Sequence, residues 1–255
     1  MKFVVAIPSY NRAHVLKSKT LAYLRSEEIE PALITVFVAS QAEKTLYEHV
    51  LDPRSYGQIV VGVLGLDKQR NFIQNYYPEG VWILSLDDDI KGVKFLTPKP
   101  LADVADRMFE LTEAEGAFLW SINAVNNLYW CRERVSVGKI FCVGCFYGVI
   151  NRHCFEIPPV STVEDKWRTL TFYLKDGKTL RYDGACVDTV YNAKGGLYEH
   201  RLLHRTQEVR SIVREFADHC RFKFRRDGMT AEVYWKPLLR KKISLFPADD
   251  ITTIQ

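Results

Sequence analysis

The sequence predicts an α/β fold built on a largely parallel sheet, and three observations predict it. Short apolar, β-branched runs alternate with segments of helical periodicity through the first part of the chain. The connections between them are short, as strand–helix–strand units require. One run, Val81-Trp82-Ile83-Leu84-Ser85-Leu86, shows no polar alternation and ends in Asp87, Asp88 and Asp89. A strand this apolar belongs inside a sheet covered on both faces. The 255 residues, 47% hydrophobic and 26% charged, suit a soluble protein of one α/β domain, or of one domain with an appendage.

Residues 3–7 form a first strand, and Pro8-Ser9-Tyr10-Asn11 turns out of it. Residues 12–26 place Val15, Leu16, Leu21 and Leu24 at helical spacing. Residues 33–39 are a second strand behind Pro31, and 41–50 a second helix. Residues 58–63 are a third strand, 67–76 a third helix with Asp67 as N-cap, and 81–86 the fourth strand. Beyond the acidic cluster, 101–115 is helical and 117–124 extended. Residues 139–150 read as one long strand-like segment, in which Gly144 and Gly148 mark a bulge or a close approach. A helix over 164–174 and an edge strand over 179–182 follow. Residues 206–220 form an amphipathic helix with Val209, Ile212, Val213, Phe216 and Cys220 on one face.

Several classes are disfavoured. No apolar stretch is long enough to span a membrane, and the N-terminal run is too short for a signal peptide. Six cysteines without framework spacing favour reduced thiols, so a cytoplasmic setting is expected. Cys142 and Cys145, with His153 and Cys154 nearby, could suggest zinc. Residues three apart on a strand face opposite sides, so buried free cysteines are the better account. The turn after the first strand has neither a G-x-G-x-x-G nor a P-loop pattern, which argues against dinucleotide-binding and P-loop enzymes. It also argues against sugar nucleotidyltransferases, whose related sheet opens on a glycine-rich loop.

The acidic triplet has two readings. It is a solvated turn or helix cap, or it is a cation site, since three adjacent carboxylates repel unless a cation sits among them. In open α/β sheets ligands bind at the carboxyl ends of strands, which favours a site for Mg²⁺ or Mn²⁺.

Three segments, in order, resemble glycosyltransferases of the GT-A fold, family 2 in particular. They are Val4-Val5-Ala6-Ile7-Pro8-Ser9-Tyr10-Asn11-Arg12, Gly65-Leu66-Asp67-Lys68-Gln69-Arg70-Asn71, and the strand ending in Asp87-Asp88-Asp89, which is similar to the family's D-x-D. The resemblance covers about the first half of the chain. It implies a Rossmann-like nucleotide-sugar transferase sheet, with a catalytic domain over 1–205 and a basic helical extension over 206–255 packed on it. It implies a UDP-sugar donor held by Pro8, Ser9, Tyr10, Asn11, Arg12, Lys68, Arg70, Asp87 and Asp88. Asp87 and Asp89 would ligate Mn²⁺ or Mg²⁺, with His200 completing the metal shell; His204 is the alternative. Val163-Glu164-Asp165-Lys166 resembles the family's acidic pair at a helix start. That likeness makes Asp165, or failing it Glu164, the general base in an inverting enzyme. Without the resemblance, Lys68 and Arg70 read as a solvated first turn, and Glu164 and Asp165 as acids complementing a helix dipole.

The acceptor is read from charge. Residues 200–245 hold 12 Lys/Arg against 5 Asp/Glu, a net +7 in a chain of net +4. Arg210, Arg214, Arg225, Arg226, Trp235, Lys236, Lys241 and Lys242 interleave cations with aromatics, which suits phosphate contacts and base stacking in DNA. A basic surface helix with a packed aromatic tail is the other account. The layout also resembles phage and kinetoplastid glycosyltransferases associated with TET/JBP-type dioxygenases. That implies 5-hydroxymethylpyrimidine in DNA as the acceptor. Two competing expectations remain: a transferase acting on a glycan or protein, and an inactive GT-A domain serving as a DNA-binding module.

Overall fold

The computed structural model describes residues 1–153, 156–189 and 198–246, with side chains in the last stretch described from Leu203 onward. Its elements run in the order β1 (Val4–Pro8), α1 (Ala13–Ser18), α2 (Thr20–Ser26), β2 (Ile34–Val38), α3 (Gln41–Val50), β3 (Gln58–Val61), α4 (Leu66–Tyr76), β4 (Trp82–Leu86) and β5 (Gly92–Phe95). Then come α5 (Leu101–Ala114), β6 (Leu119–Asn123), β7 (Val135–Lys139), β8 (Phe146–Ile150), α6 (Glu164–Asp176), β9 (Thr179–Asp188), α7 (Tyr198–Glu215), β10 (Arg221–Phe224), β11 (Ala231–Tyr234) and β12 (Leu238–Ile243).

One sheet organises the chain, in the order β12-β7-β9-β6-β8-β4-β1-β2-β3, with β5 paired to β9. β1 pairs in parallel with both β2 and β4, and β2 with β3. β8 runs antiparallel between β4 and β6, so β4 and β6 point the same way. β9 is parallel to β6. The carboxyl ends of β1, β4, β6 and β9 therefore share one edge of the sheet. Val5, Ile7, Val36, Leu84 and Leu86 are fully buried within the principal core, as an internal strand with two covered faces requires.

Four sequence expectations change. The first helix breaks at Lys19 (φ −117°, ψ −88°), where Thr20 turns inward: its Oγ1 donates to the Asp87 carbonyl (2.8 Å) and accepts from the Ile90 amide (3.0 Å). Asp67 is not an N-cap. Gly65 takes that position, and Asp67 is buried against the Ser161 hydroxyl. The 139–150 segment is not one strand but the end of β7, a connection, and β8. The strand expected at the edge over 179–182 is β9, ten residues long and interior between β7 and β6.

A second, smaller core joins α6, α7 and the β10–β11 hairpin. Val163, Leu170, Val209, Ile212, Phe216 and Trp235 are buried there. The extension is thus a helix, a hairpin and a strand rather than purely helical. α7 runs unbroken across position 205, and β12 pairs antiparallel with β7 at the sheet's margin. Cys131, Cys142, Cys145, Cys186 and Cys220 are free and buried, as expected. Among the described residues no helix is long and apolar enough to cross a membrane.

Candidate active site

The site begins with a turn that needs no glycine. Asn11 adopts φ 54°, a left-handed conformation that asparagine tolerates better than most residues. The turn is secured from α3. The Asn11 amide donates to Glu43 Oε1 (2.6 Å) and the Arg12 amide to Tyr47 Oη (3.0 Å). Tyr47 Oη also meets Ser9 Oγ at 2.7 Å, and Ser9 donates to Asp88 Oδ2 at 2.6 Å. Ser9 and Pro8 are buried, while the Tyr10 ring is exposed. Neither Glu43 nor Tyr47 stands out in the sequence. Ser40-Gln41-Ala42-Glu43 does carry a capping-box pattern, and the Glu43 amide bonds the Ser40 hydroxyl at 3.2 Å.

The three carboxylates leave β4 in different directions. Asp88 is buried, ion-paired to Arg12 Nη1 at 3.0 Å. Burial pushes its carboxyl up to about 7, against the pull of Arg12 and Ser9. Asp89 accepts from Arg12 Nη2 (2.7 Å) and Thr189 Oγ1 (3.2 Å). Asp87 accepts from Arg70 Nη2 at 2.8 Å and retains 36% side-chain exposure. Asp87 and Asp89 thus offer hard oxygen donors at the sheet edge, with Asp88 as the internal anchor. Mg²⁺ and Mn²⁺ commonly take one or two carboxylates and fill their remaining positions with water and phosphate, so this donor set fits them. Among the described residues no three Asp, Glu, His or Cys side chains form an all-protein metal cage. His200 lies outside the described side chains.

The segment from Gly65 to Asn71 is an internal hub rather than an open phosphate cradle. Arg70, expected to face a diphosphate, is instead buried. It donates to Ser85 Oγ (2.5 Å), Asp87 and the Gly144 carbonyl (3.1 Å). Gln69 ties the end of β3 to β2 through the Val63 amide (2.8 Å) and the Val38 carbonyl (3.2 Å). Asn71 makes a reciprocal pair with the Ile157 backbone at 2.8 and 2.9 Å. Lys68 is the exposed cation of the segment.

Gly144 brings the start of α6 to this hub. A Cβ there would lie 2.8 Å from Glu164 Oε1 and 3.1 Å from Asp165 Cβ, so only glycine permits the approach. Gly148 likewise makes room for Trp120. Glu164 is corrected from candidate base to anchor. It is buried and paired to Arg168 Nη1 at 2.6 Å, and Arg168 lies 3.6 Å from the Tyr147 ring centroid. Burial raises the Glu164 carboxyl, opposed by Arg168 and Arg70. Asp165, one residue on, is half-buried at the first turn of the helix. The smaller core props this helix. Buried Glu208 on α7 accepts from the Thr162 amide (2.8 Å) just before α6 begins.

The expected DNA-facing residues divide. Trp235 is withdrawn from that set: it is 8% exposed, packs on Phe141 at 5.7 Å and fills the smaller core. Lys241 is held by Glu115 at 2.7 Å, and Arg225 by Glu232 at 3.3 Å. Arg210, Arg214, Arg226, Lys236 and Lys242 are exposed on α7, the hairpin, the β11–β12 connection and β12. Lysines on β12, at the sheet margin, also deter strand addition.

No protein-family model matches the sequence, and no curated protein matches it. Solved structures do. A mannosyltransferase from Pyrobaculum calidifontis, in complex with GDP-Man and Mn²⁺, aligns over 84% of this chain with TM-score 0.55 and 13% identity. The chain spans 64% of that protein's length. Glucosyl-3-phosphoglycerate synthase from Mycobacterium tuberculosis, in complex with Mg²⁺ and UDP, aligns over 96% of this chain and 90% of its own, with TM-score 0.53 and 12% identity. The sheet order and these alignments show that the chain has the GT-A fold that these two structures share.

Proposed function

We propose that the protein is a metal-dependent glycosyltransferase that moves a sugar from a nucleotide-sugar donor to a hydroxyl of DNA, most specifically a 5-hydroxymethylpyrimidine. The observation that supports the transferase assignment is the grouping of Asp87 and Asp165 around buried Arg70 and Gly144, with Asp89 two residues beyond Asp87 on the same strand end, held by Arg12 and Thr189. Two neighbours of this fold have been solved with a divalent cation and a nucleotide or nucleotide sugar, which supports the same ligands here. When bound, Mn²⁺ or Mg²⁺ supplies Lewis-acid stabilisation to the departing diphosphate.

The chain's own residues do the rest. Asp87 and Asp89 hold the cation. Exposed Tyr10 offers a ring to the nucleotide base, and Lys68 a charge to the diphosphate. Arg70 keeps Asp87 fixed. Asp165 accepts the acceptor's hydroxyl proton as the oxygen attacks the anomeric carbon. Asp165→Asn is expected to lower kcat by about 10²–10⁴-fold, with donor affinity retained. A collapse of donor affinity at unchanged kcat would make Asp165 a binding residue instead.

The DNA assignment rests on Arg210, Arg214, Arg226 and Lys236, exposed on and beside the layer that packs against α6, and on Lys242, exposed on β12 at the sheet margin. A pyrimidine inside a duplex must leave the stack to reach the donor. The decisive experiment incubates 5-hydroxymethylcytosine and 5-hydroxymethyluracil DNA with a panel of nucleotide sugars and Mn²⁺, then weighs the products. A hexose mass increment on the modified base supports the proposal, and transfer confined to glycans or proteins overturns it. Alanine at Arg214, Arg226, Lys236 and Lys242 together should weaken DNA binding and flatten its log–log salt slope by about 0.9 for each phosphate no longer neutralised. Donor hydrolysis by that variant should persist. An unchanged slope would remove this layer from the interface.

A further inference from the structure

The loop between β6 and β7 holds two aromatic rings in solvent on a tightly bonded backbone. Tyr129 is 72% and Trp130 62% exposed, and their rings meet edge-on with centroids 4.9 Å apart. Beneath them the Tyr129 amide donates to Asn127 Oδ1 (2.9 Å) and the Cys131 amide to the Leu128 carbonyl (2.9 Å). Arg132 Nη1 donates to the carbonyls of Tyr129 (3.0 Å) and Cys131 (2.6 Å). A large aromatic ring gains free energy when it leaves water, so two rings held outward by an ordered backbone leave that gain available to a ligand.

The loop leaves the sheet at the same edge as Asp87. Its root, Asn123 at the end of β6, pairs with Cys186 on β9, and the Asn123 Nδ2 donates to the Trp130 carbonyl at 3.4 Å. Thr189, three residues beyond Cys186, donates to Asp89 Oδ1. At about 3.3 Å per extended residue, the root stands on the order of 10 Å from Asp89. The loop therefore stands beside the carboxylate edge of the sheet.

Charge selects the ligand class. Arg132 is exposed, and among the described residues no carboxylate lies within ion-pair distance of it. The neighbouring Glu133 is engaged by the Tyr182 hydroxyl at 2.6 Å. A neutral sugar ring would leave the Arg132 charge unmatched. A nucleotide meets both parts, its base stacking on a ring and its phosphate facing the guanidinium.

We infer that Tyr129, Trp130 and Arg132 form a platform on which a nucleobase of the acceptor strand stacks beside the nucleotide being modified. This rests on the DNA-acceptor proposal above and adds the residues that seat the strand. The test measures binding of the full-length protein to a short, fluorescein-labelled single-stranded DNA by anisotropy across a salt series. Trp130→Ala should weaken binding about 5- to 150-fold, the range expected for one stacked base, while Trp130→Phe retains most of the affinity. The Tm and UDP affinity should match the wild type, because the ring is exposed. Trp130→Gln reads the same weakening if alanine disturbs the loop. Arg132→Ala should flatten the salt slope by about 0.7, the single-strand value for one phosphate contact, which the Trp130 variants should not do. If the wild type binds and modifies DNA and the Trp130 and Tyr129 variants bind equally well, the platform is overturned and the DNA acceptor stands. If the wild type binds no DNA at all, the DNA acceptor and the platform fall together.

Discussion

Replacing Asp89 by Asn should abolish sugar transfer while leaving the protein folded. Asp89 sits beyond the last residue of β4 and is partly exposed, with Arg12 and Thr189 as its partners. Asn keeps the shape and removes the charge, so the cation is left with one of its two expected carboxylates. The fall in kcat should be at least about 10²–10³-fold, the scale seen when one preorganised electrostatic contact is removed. Mn²⁺ titration followed by electron paramagnetic resonance gives a reading independent of activity, and the variant should bind the ion far more weakly. Asp88→Asn should behave differently. Asp88 anchors the first turn through Ser9 and Arg12, so its replacement should disturb the turn more than it disturbs ion binding. Wild-type Mn²⁺ affinity in Asp89→Asn, or full transfer in excess chelator, would remove the cation from the mechanism.

Arg70→Met should unfold the protein at markedly lower temperature and inactivate what remains folded. The guanidinium is buried and serves Ser85, Asp87 and Gly144 at once. Removing one member of a buried charged network leaves the others without partners, at a cost of about 3–5 kcal/mol. In a chain of this size that lowers Tm by on the order of 10 °C. Arg70→Lys keeps the charge but not the planar fork, and should recover only part of the stability. A calorimetric Tm within about 2 °C of wild type for Arg70→Met would mean that the hub tolerates the vacancy, and that Asp87 is positioned by its backbone alone.

Much of the carboxylate edge is legible in the sequence because its signals are local. The apolar run of β4 and the acidic triplet behind it are adjacent along the chain, so the strand and the carboxylates at its end are read together. The helix over 41–50 is legible to the residue because Ser40 caps it in sequence as in space. Long-range partners are not legible. Arg70 reads as a surface cation because its residue type is usually solvated. It is buried because Asp87, Ser85 and Gly144 converge on it from 15 to 74 residues away. Trp235 reads as a base-stacking residue for the same reason: aromatics among cations look alike whether the ring faces a nucleobase or Phe141.

The α/β class, the order of the early strands and helices, the carboxylate edge and the excess of positive charge after residue 200 all follow from the chain read in one dimension. Each is a property of periodicity or composition, which near neighbours specify. Folding settled a different question, namely which charges are consumed inside the protein and which are left for a ligand. Of the paired acids at the start of α6, Glu164 closes on Arg168 in the interior while Asp165 stays half-open. Of the basic residues, Lys241 and Arg225 are neutralised by Glu115 and Glu232, while Arg226, Lys236 and Lys242 remain exposed. Desolvation and pairing depend on distances between residues far apart in the chain, and those distances exist only once the sheet and its covering layers have assembled.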